Sequence, residues 1–119
     1  MTSVHTISFK HAWEGLEHAV ATQPNFGIHL FLSTIAVIGG IYFHISITEW
    51  LIIFLTVAIG LVIELVNTAI ESTVDLITTK RRPLAKIAKD TSAAAMLIYA
   101  VGAIVVASVI FLPKIWPYF

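Results

Sequence analysis

Long apolar stretches separated by short polar ones set the pattern of this chain. Three of them are long enough to cross a bilayer, which takes about 20 apolar residues in a helix. They run near residues 28–48, 50–77 and 91–112, and the first and third contain no Asp, Glu, Lys or Arg. The second carries acidic residues in its last third. This pattern predicts an all-α membrane protein with three transmembrane helices, formed by a single domain over residues 1–119.

A fourth periodic segment, near residues 4–21, has a different character. Its apolar residues recur at intervals of three and four, and they are Phe9, Ala12, Trp13, Leu16, Ala19 and Val20. Charged residues and histidines lie between them. This spacing is typical of an amphipathic helix lying on the membrane surface. A helix packed on a partner subunit would show the same pattern, and the sequence leaves that alternative open.

Composition supports a membrane protein and excludes several other classes. The chain has 119 residues, of which 58% are hydrophobic and 12% charged, and its mean hydropathy is +0.92. Its formal net charge is zero, so bulk charge gives no indication of nucleic-acid binding. Cysteine is absent, which excludes disulfides, thiolate metal sites and cysteine nucleophiles.

Basic residues predict the orientation in the membrane. Five of the seven lysines and arginines fall between the second and third spans, namely Lys80, Arg81, Arg82, Lys86 and Lys89. Basic segments remain on the cytoplasmic side of a membrane. We therefore expect the N-terminus and the 78–90 segment in the cytoplasm and the C-terminus outside. These residues could also serve only to set topology and bind anionic lipid.

An acidic stripe at the end of the second span is the main candidate site. At about 100° per residue, its four members fall within roughly 80° of one another on a helix; they are Glu64, Asn67, Glu71 and Asp75. Charged groups at membrane depth cost roughly 2.5–3.5 kcal/mol each, and carboxylates on one stripe repel one another without a cation or proton between them. We favour a cation-assisted site. The alternative is a polar seam that joins helices through hydrogen bonds.

Basic residues across from the stripe suggest a particular chemistry. Lys89 and Asp90 open the third span, and carboxylates for a metal next to lysines for phosphates are what phosphoryl transfer requires. The sequence contains neither G-x-x-x-x-G-K-[ST] nor a kinase-type glycine loop. If the protein uses ATP, it does so outside the common nucleotide-binding folds.

The stripe and the segments around it resemble the small bacterial membrane diacylglycerol kinases, a family that includes the undecaprenol kinases. The matching residues are Glu64-x-x-Asn67-Thr68-Ala69-Ile70-Glu71-x-x-x-Asp75, Pro83-Leu84-Ala85-x-x-Ala88-Lys89-Asp90, Trp13-Glu14-Gly15-Leu16 and Ile28-His29-Leu30. The resemblance implies an amphipathic surface helix with three transmembrane helices, assembled as a homotrimer whose active sites are shared between subunits. It also implies transfer of the γ-phosphate of Mg-ATP to the primary hydroxyl of diacylglycerol or undecaprenol.

The resemblance further implies roles for individual residues. Glu64 matches the catalytic base, and Asn67 and Asp75 match other active-site residues. The nucleotide site would comprise Gln23, Glu71, Lys80, Arg81, Arg82, Lys89 and Asp90. Glu71 and Gln23 would be ligands of Mg²⁺, and Glu64 and Trp13 would lie at the lipid substrate.

Three positions depart from the family pattern. Gln23 stands where the family has a second metal-binding glutamate, Gly27 where related chains often carry arginine, and Arg82 where a histidine is common. A glutamine can offer an oxygen to Mg²⁺ but no charge. A catalytically weakened paralogue, acting as a non-enzymatic membrane or lipid-binding protein, is therefore the second interpretation, and a proton- or cation-conducting oligomer is the third.

Overall fold

The computed structural model describes the backbone of residues 4–119 and the side chains from residue 8 onward. This part of the chain is helical and contains no strand, which confirms the all-α prediction. The helices are α1 (Val4–Thr22), α2 (Pro24–Tyr42), α3 (Ile47–Ile77) and α4 (Pro83–Ile115), followed by a 3₁₀ turn at Trp116–Tyr118. Among the described residues, three segments are long and apolar enough to cross a membrane, as predicted: α2, α3, and α4 with its 3₁₀ turn.

A single residue joins α1 to α2. Gln23 has an extended backbone, with φ of −109° and ψ of 106°, and α2 begins immediately at Pro24. Proline suits the first position of a helix because its fixed φ is helical and the N–H that it lacks would have no partner there. The first span therefore begins earlier than residue 28, where the apolar pattern placed it.

The connection between α2 and α3 is a tight turn, and it corrects the predicted first span. Helix α2 ends at Tyr42 rather than near residue 48. The N–H groups of His44 and Ile45 donate to the carbonyl oxygens of Ile41 and Gly40, at 3.3 and 3.2 Å. His44 has a φ of 51°, and these are the two hydrogen bonds of a Schellman motif. The motif satisfies the terminal carbonyls of α2 without a glycine.

Helix α3 begins with a capping box. The Ser46 hydroxyl accepts a hydrogen bond from the Glu49 N–H at 3.2 Å, and the Glu49 carboxylate accepts one from the Ser46 N–H at 3.0 Å. The other carboxylate oxygen of Glu49 accepts a hydrogen bond from Lys114 Nζ at 2.7 Å. Glu49 therefore both caps α3 and ties its beginning to the end of α4, so the two helices run antiparallel.

A small apolar core fixes the same end of the molecule. Ile45, Ile53 and Ile110 are buried, and Trp50 and Phe111 pack against them. A Cβ added to Gly40 would lie 2.6 Å from the Trp50 ring, so only glycine permits this approach. The packing holds α2, α3 and α4 together at the end opposite to the acidic stripe.

The connection between α3 and α4 is shorter than the basic segment predicted from the sequence. Helix α4 begins at Pro83 rather than near residue 91, because Pro83 again suits the first helical position. Lys86, Lys89 and Asp90 therefore lie on the first turns of α4 and not in a loop. Only residues 78–82 connect the two helices.

Helix lengths place the acidic stripe relative to the bilayer. At 1.5 Å per residue, the 31 residues of α3 extend over about 46 Å. The hydrocarbon core of a bilayer is about 30 Å thick. If Trp50 marks one interface, Glu64, roughly 21 Å along the helix, would lie within hydrocarbon, and Asp75 would extend beyond it.

Candidate functional site

Burial decreases steadily along the acidic stripe. Glu64 is 1% exposed and Asn67 8%. One turn further on, Glu71 is partly exposed, and Asp75 is exposed at the end of α3. The stripe thus leads from a closed interior position to the surface beside the α3–α4 connection. A water-soluble substrate could reach Asp75 and Glu71 directly, but not Glu64.

Glu64 is a buried acid whose carboxylate has no hydrogen-bond partner in the described part of the chain. Neither of its carboxylate oxygens forms a hydrogen bond. Burying a carboxylate without a compensating contact is expensive. Its backbone carbonyl accepts a hydrogen bond from Thr68 Oγ1 at 2.9 Å, which closes the helix locally but does not involve the acid. Both carboxylate oxygens are therefore available to accept a proton or to contact a cation.

Asn67 connects α3 to α4 and to the next member of the stripe. Ser92 Oγ donates to Asn67 Oδ1 at 2.5 Å, and this bond is buried. The Asn67 amide nitrogen donates to Glu71 Oε1 at 3.3 Å. A hydrogen-bonded chain therefore extends from Ser92 through Asn67 to Glu71, and the Glu71 carboxylate is held on one side.

Two ion pairs involve the basic residues on the first turns of α4. Lys89 Nζ lies 2.7 Å from Asp75 Oδ1, which joins α4 to the end of the stripe. Lys86 pairs with Asp90 one turn further along the same helix. Three of the residues assigned to the nucleotide site and its surroundings, Asp75, Lys89 and Asp90, therefore lie at one end of the α3–α4 pair, near Glu71.

The oxygen ligands available here suit a magnesium ion that arrives with a nucleotide. The described residues include no cluster of three or more His, Cys, Asp or Glu able to hold a metal. Mg²⁺ is commonly held by one or two carboxylates together with substrate phosphates rather than by a protein cage. Glu71 supplies such a carboxylate, oriented by Asn67, and the unpartnered oxygens of Glu64 lie two turns before it. The residues present therefore fit the ion.

Other residues assigned from the resemblance lie apart from this cluster. Gln23 is at the α1–α2 junction, where its amide donates to Thr22 Oγ1 at 3.5 Å. Trp13 is exposed on α1, with its indole N–H bonded to Glu17. Lys80, Arg81 and Arg82 are exposed in the connection between α3 and α4. Within the described chain, none of these hydrogen bonds joins them to the stripe, and their assigned roles remain predictions.

Sequence reasoning missed Ser92 as a member of the site. Ser92 is 7% exposed. In the sequence it was one of several small residues of the third span that allow helices to pack closely. Its position three residues after Lys89 is the signal that could have identified it, since residues three apart lie on one helix face. A second polar bond between these helices, from Tyr99 Oη to the Thr56 carbonyl at 2.7 Å, was also missed.

Comparison with known proteins gives a consistent result. The sequence model of the prokaryotic diacylglycerol kinase family matches residues 10–111. The chain is 45% identical to a Bacillus subtilis protein named undecaprenol kinase, over 91% of this chain and 88% of the relative. It is 38% identical to a diacylglycerol kinase of Synechocystis, over 92% of this chain but 63% of that relative. A Helicobacter pylori diacylglycerol kinase is 35% identical over 71% of this chain and 66% of the relative.

Proposed function

This chain belongs to the prokaryotic diacylglycerol kinase family, and we propose that it transfers the γ-phosphate of ATP to the hydroxyl of a membrane lipid. The observation that carries the proposal is Glu64, a buried acid whose carboxylate oxygens form no hydrogen bond within the described residues. Asn67 follows it by about one helical turn and Glu71 by two. A protein keeps such a group at membrane depth when the group has a chemical task. Accepting the proton of an alcohol is a task that suits a free carboxylate.

The proposed reaction assigns Glu64 the role of general base. The lipid hydroxyl gives its proton to the Glu64 carboxylate as its oxygen forms a bond to the γ-phosphorus. The bond between that phosphorus and the β–γ bridging oxygen breaks, and ADP leaves. Burial of Glu64 excludes water, which would otherwise compete with the lipid as acceptor. The acceptor must displace neighbouring side chains to reach the carboxylate, since Glu64 is closed to solvent.

Residues further along the stripe bind and orient the nucleotide in this proposal. Glu71 would hold Mg²⁺, with the carbonyl oxygen of Gln23 as an additional ligand. Bound together with ATP, the ion would offset the negative charge of the phosphates. Lys89 would contact the phosphates, and the exposed residues Lys80 to Arg82 would attract the nucleotide to the site. Asn67 keeps the Glu71 carboxylate in place through its amide.

The acceptor is diacylglycerol or undecaprenol, and we expect undecaprenol to be the better one. The relative with 45% identity, matched along 88% of its length, is named undecaprenol kinase. The diacylglycerol kinase of Synechocystis is matched at 38% identity along 63% of its length. Parallel assays with both lipids in the same vesicles would decide the acceptor.

The proposal includes a homotrimer in the bacterial cytoplasmic membrane, with the α3–α4 connection and the N-terminus in the cytoplasm. Large apolar side chains cover the outer faces of the helices, among them Phe54 and Ile98, which are 66% and 75% exposed. These faces would contact lipid and the other subunits. Helix α1 would lie on the membrane surface, with Phe9 and Trp13 in the headgroup region.

The decisive experiment compares the protein with its Glu64→Gln variant in vesicles that contain undecaprenol or diacylglycerol. With γ-labelled ATP, we expect the protein to label a lipid and the variant to be at least about a hundredfold slower, the usual contribution of a general base. Equal rates would reject the role of Glu64. Failure of the unchanged protein to label either lipid would support the non-enzymatic alternative. The reason for that alternative is Gln23, which stands where the family has a metal-binding glutamate.

A further inference from the structure

We propose that Ser92 is a positioning residue that fixes the amide of Asn67 and, through it, the metal-binding carboxylate of Glu71. This role rests on one part of the proposed function, the assignment of Glu71 as a ligand of the metal that a bound nucleotide carries. Neither the family assignment nor the relatives' names give Ser92 any part in the site.

The geometry selects one orientation of the Asn67 amide. The Ser92 hydroxyl donates to Asn67 Oδ1 at 2.5 Å, so the carbonyl oxygen of the amide faces α4. The NH₂ group then faces Glu71 and donates to its carboxylate at 3.3 Å. An amide rotated by 180° would place its oxygen against the carboxylate, two acceptors facing each other, and would lose the bond to Glu71. A serine hydroxyl can donate or accept, so the orientation is selected by the Glu71 carboxylate, which only accepts. The Ser92 hydroxyl then satisfies Asn67 Oδ1 and holds the amide where it donates to Glu71.

Fixing Glu71 in advance is useful because its side chain is otherwise mobile. A partly exposed glutamate loses about 1.5–2 kcal/mol of rotamer freedom when a ligand orders it. A partner that already holds the carboxylate reduces that loss, which is why residues that orient metal ligands affect metal affinity. Both bonded atoms of the Ser92–Asn67 pair are buried, so water does not replace the hydroxyl readily when it is removed.

A second hydrogen bond between α3 and α4 provides a matched control for the possibility that Ser92 only holds the two helices together. The Tyr99 hydroxyl also bonds α4 to α3, through the Thr56 carbonyl at 2.7 Å. Thr56 lies two turns before Glu64, away from Asn67 and Glu71. Tyr99→Phe thus removes an α3–α4 hydrogen bond of similar length without touching the chain of bonds that leads to Glu71. Loss of helix packing alone would affect both variants.

The first measurement detects the amide itself and requires no catalysis. The chain has three side-chain carboxamides, those of Gln23, Asn25 and Asn67, so their ¹⁵N-labelled NH₂ signals can be assigned by single substitutions. In Ser92→Ala we expect the Asn67 signals to shift and their hydrogen exchange to accelerate, whereas Tyr99→Phe leaves them in place. Ser92→Thr, which keeps the hydroxyl, should retain the original signals. An unmoved Asn67 pair in Ser92→Ala would overturn the proposal.

The second measurement tests the consequence for the metal. Mn²⁺ binding to the protein with a non-hydrolysable ATP analogue can be followed by electron paramagnetic resonance. Ser92→Ala should weaken Mn²⁺ binding by about fivefold or more, the worth of one hydrogen bond; Ser92→Thr and Tyr99→Phe should stay within about twofold. In an Asn67→Ala background, Ser92→Ala should add no further loss. Unchanged Mn²⁺ affinity in Ser92→Ala, or an equal loss in Tyr99→Phe, would refute the proposal.

The two proposals fail separately. If the protein phosphorylates lipid but Ser92→Ala binds Mn²⁺ as tightly as the unchanged chain, the role of Ser92 is wrong and the kinase function stands. If the protein phosphorylates no lipid but loses Mn²⁺ affinity on Ser92→Ala, the kinase function is wrong and Ser92 still positions the metal-binding carboxylate.

Discussion

Lys89 Nζ lies 2.7 Å from Asp75 Oδ1, and this ion pair joins the beginning of α4 to the end of α3. The two side chains are 43% and 53% exposed. Exposed ion pairs of this kind contribute at most about 1 kcal/mol to stability, because water and salt screen them. The main effect of the pair is therefore to hold Lys89 beside the acidic stripe, and its contribution to the stability of the fold is small.

Replacing Lys89 should separate activity from stability. Lys89→Gln removes a cation that would contact the phosphates, so we expect phosphorylation of lipid at a fixed ATP concentration to fall by at least about tenfold. The free energy of unfolding should change by less than about 1 kcal/mol. Rates over a range of ATP concentrations and denaturant unfolding in detergent would measure the two effects. Lys10→Gln, the same change on the exposed face of α1, is the control. A variant with an unchanged rate would contradict the assignment.

Glu64→Gln should stabilise the protein while it abolishes activity. Glu64 is 1% exposed, and its carboxylate has no hydrogen-bond partner within the described residues. A neutral amide of the same shape is less costly to bury than a charged carboxylate. We expect the free energy of unfolding to rise by about 1 kcal/mol or more. Glu71→Gln is the comparison, since that side chain is partly exposed and should show a smaller gain. A loss of stability in Glu64→Gln would mean that the carboxylate has a partner that stabilises its charge.

Gln23→Glu tests whether the α1–α2 junction approaches the metal. A glutamate there would offer Mg²⁺ a negatively charged oxygen in place of a neutral one. The Mg²⁺ concentration for half-maximal phosphorylation should therefore decrease. A decrease of about threefold or more corresponds to a stabilisation of the bound ion by at least about 0.7 kcal/mol. Asn25→Asp adds the same charge to the same helix end two residues later and controls for interaction with the helix dipole. Equal Mg²⁺ dependence in the two variants would place Gln23 away from the metal.

The two functions of Glu49 can be measured separately. Glu49→Gln keeps a side chain able to complete the capping box but loses the charge that pairs with Lys114. We expect Glu49→Gln to lower the free energy of unfolding through the lost ion pair, and Glu49→Ala to lower it further, because it also removes the side chain that accepts from the Ser46 N–H. Denaturant unfolding would give both values. Phosphorylation per folded molecule should not change, because Glu49 lies at the end of α3 opposite to the acidic stripe. Equal losses in the two variants would show that the bond from the Ser46 N–H to the side chain of residue 49 contributes nothing.

Helix ends show where sequence pattern was sufficient and where it was not. The lengths of the apolar stretches located all three spans. They placed the first span at residues 28–48, whereas α2 extends from Pro24 to Tyr42. Apolar residues continue through the turn, so hydropathy did not detect it. The signals that mark these ends are local ones: Pro24 and Pro83 at first helical positions, and Ser46-x-x-Glu49 as a capping box. These residues, rather than hydropathy, mark how short the connections between the helices are.

By itself the sequence determined the all-helical class, the number of spans, the acidic stripe and the family, because each of these depends on spacing along one chain. A helix has a fixed period, so the positions of Glu64 and Asn67 on one face follow from their numbers alone. Only the tertiary structure decided that Glu64 is closed off without a partner and that Ser92 reaches Asn67 across 25 positions of chain. Contacts between helices depend on how two helix surfaces pack against each other. The spacing of residues along a single helix does not reveal this packing.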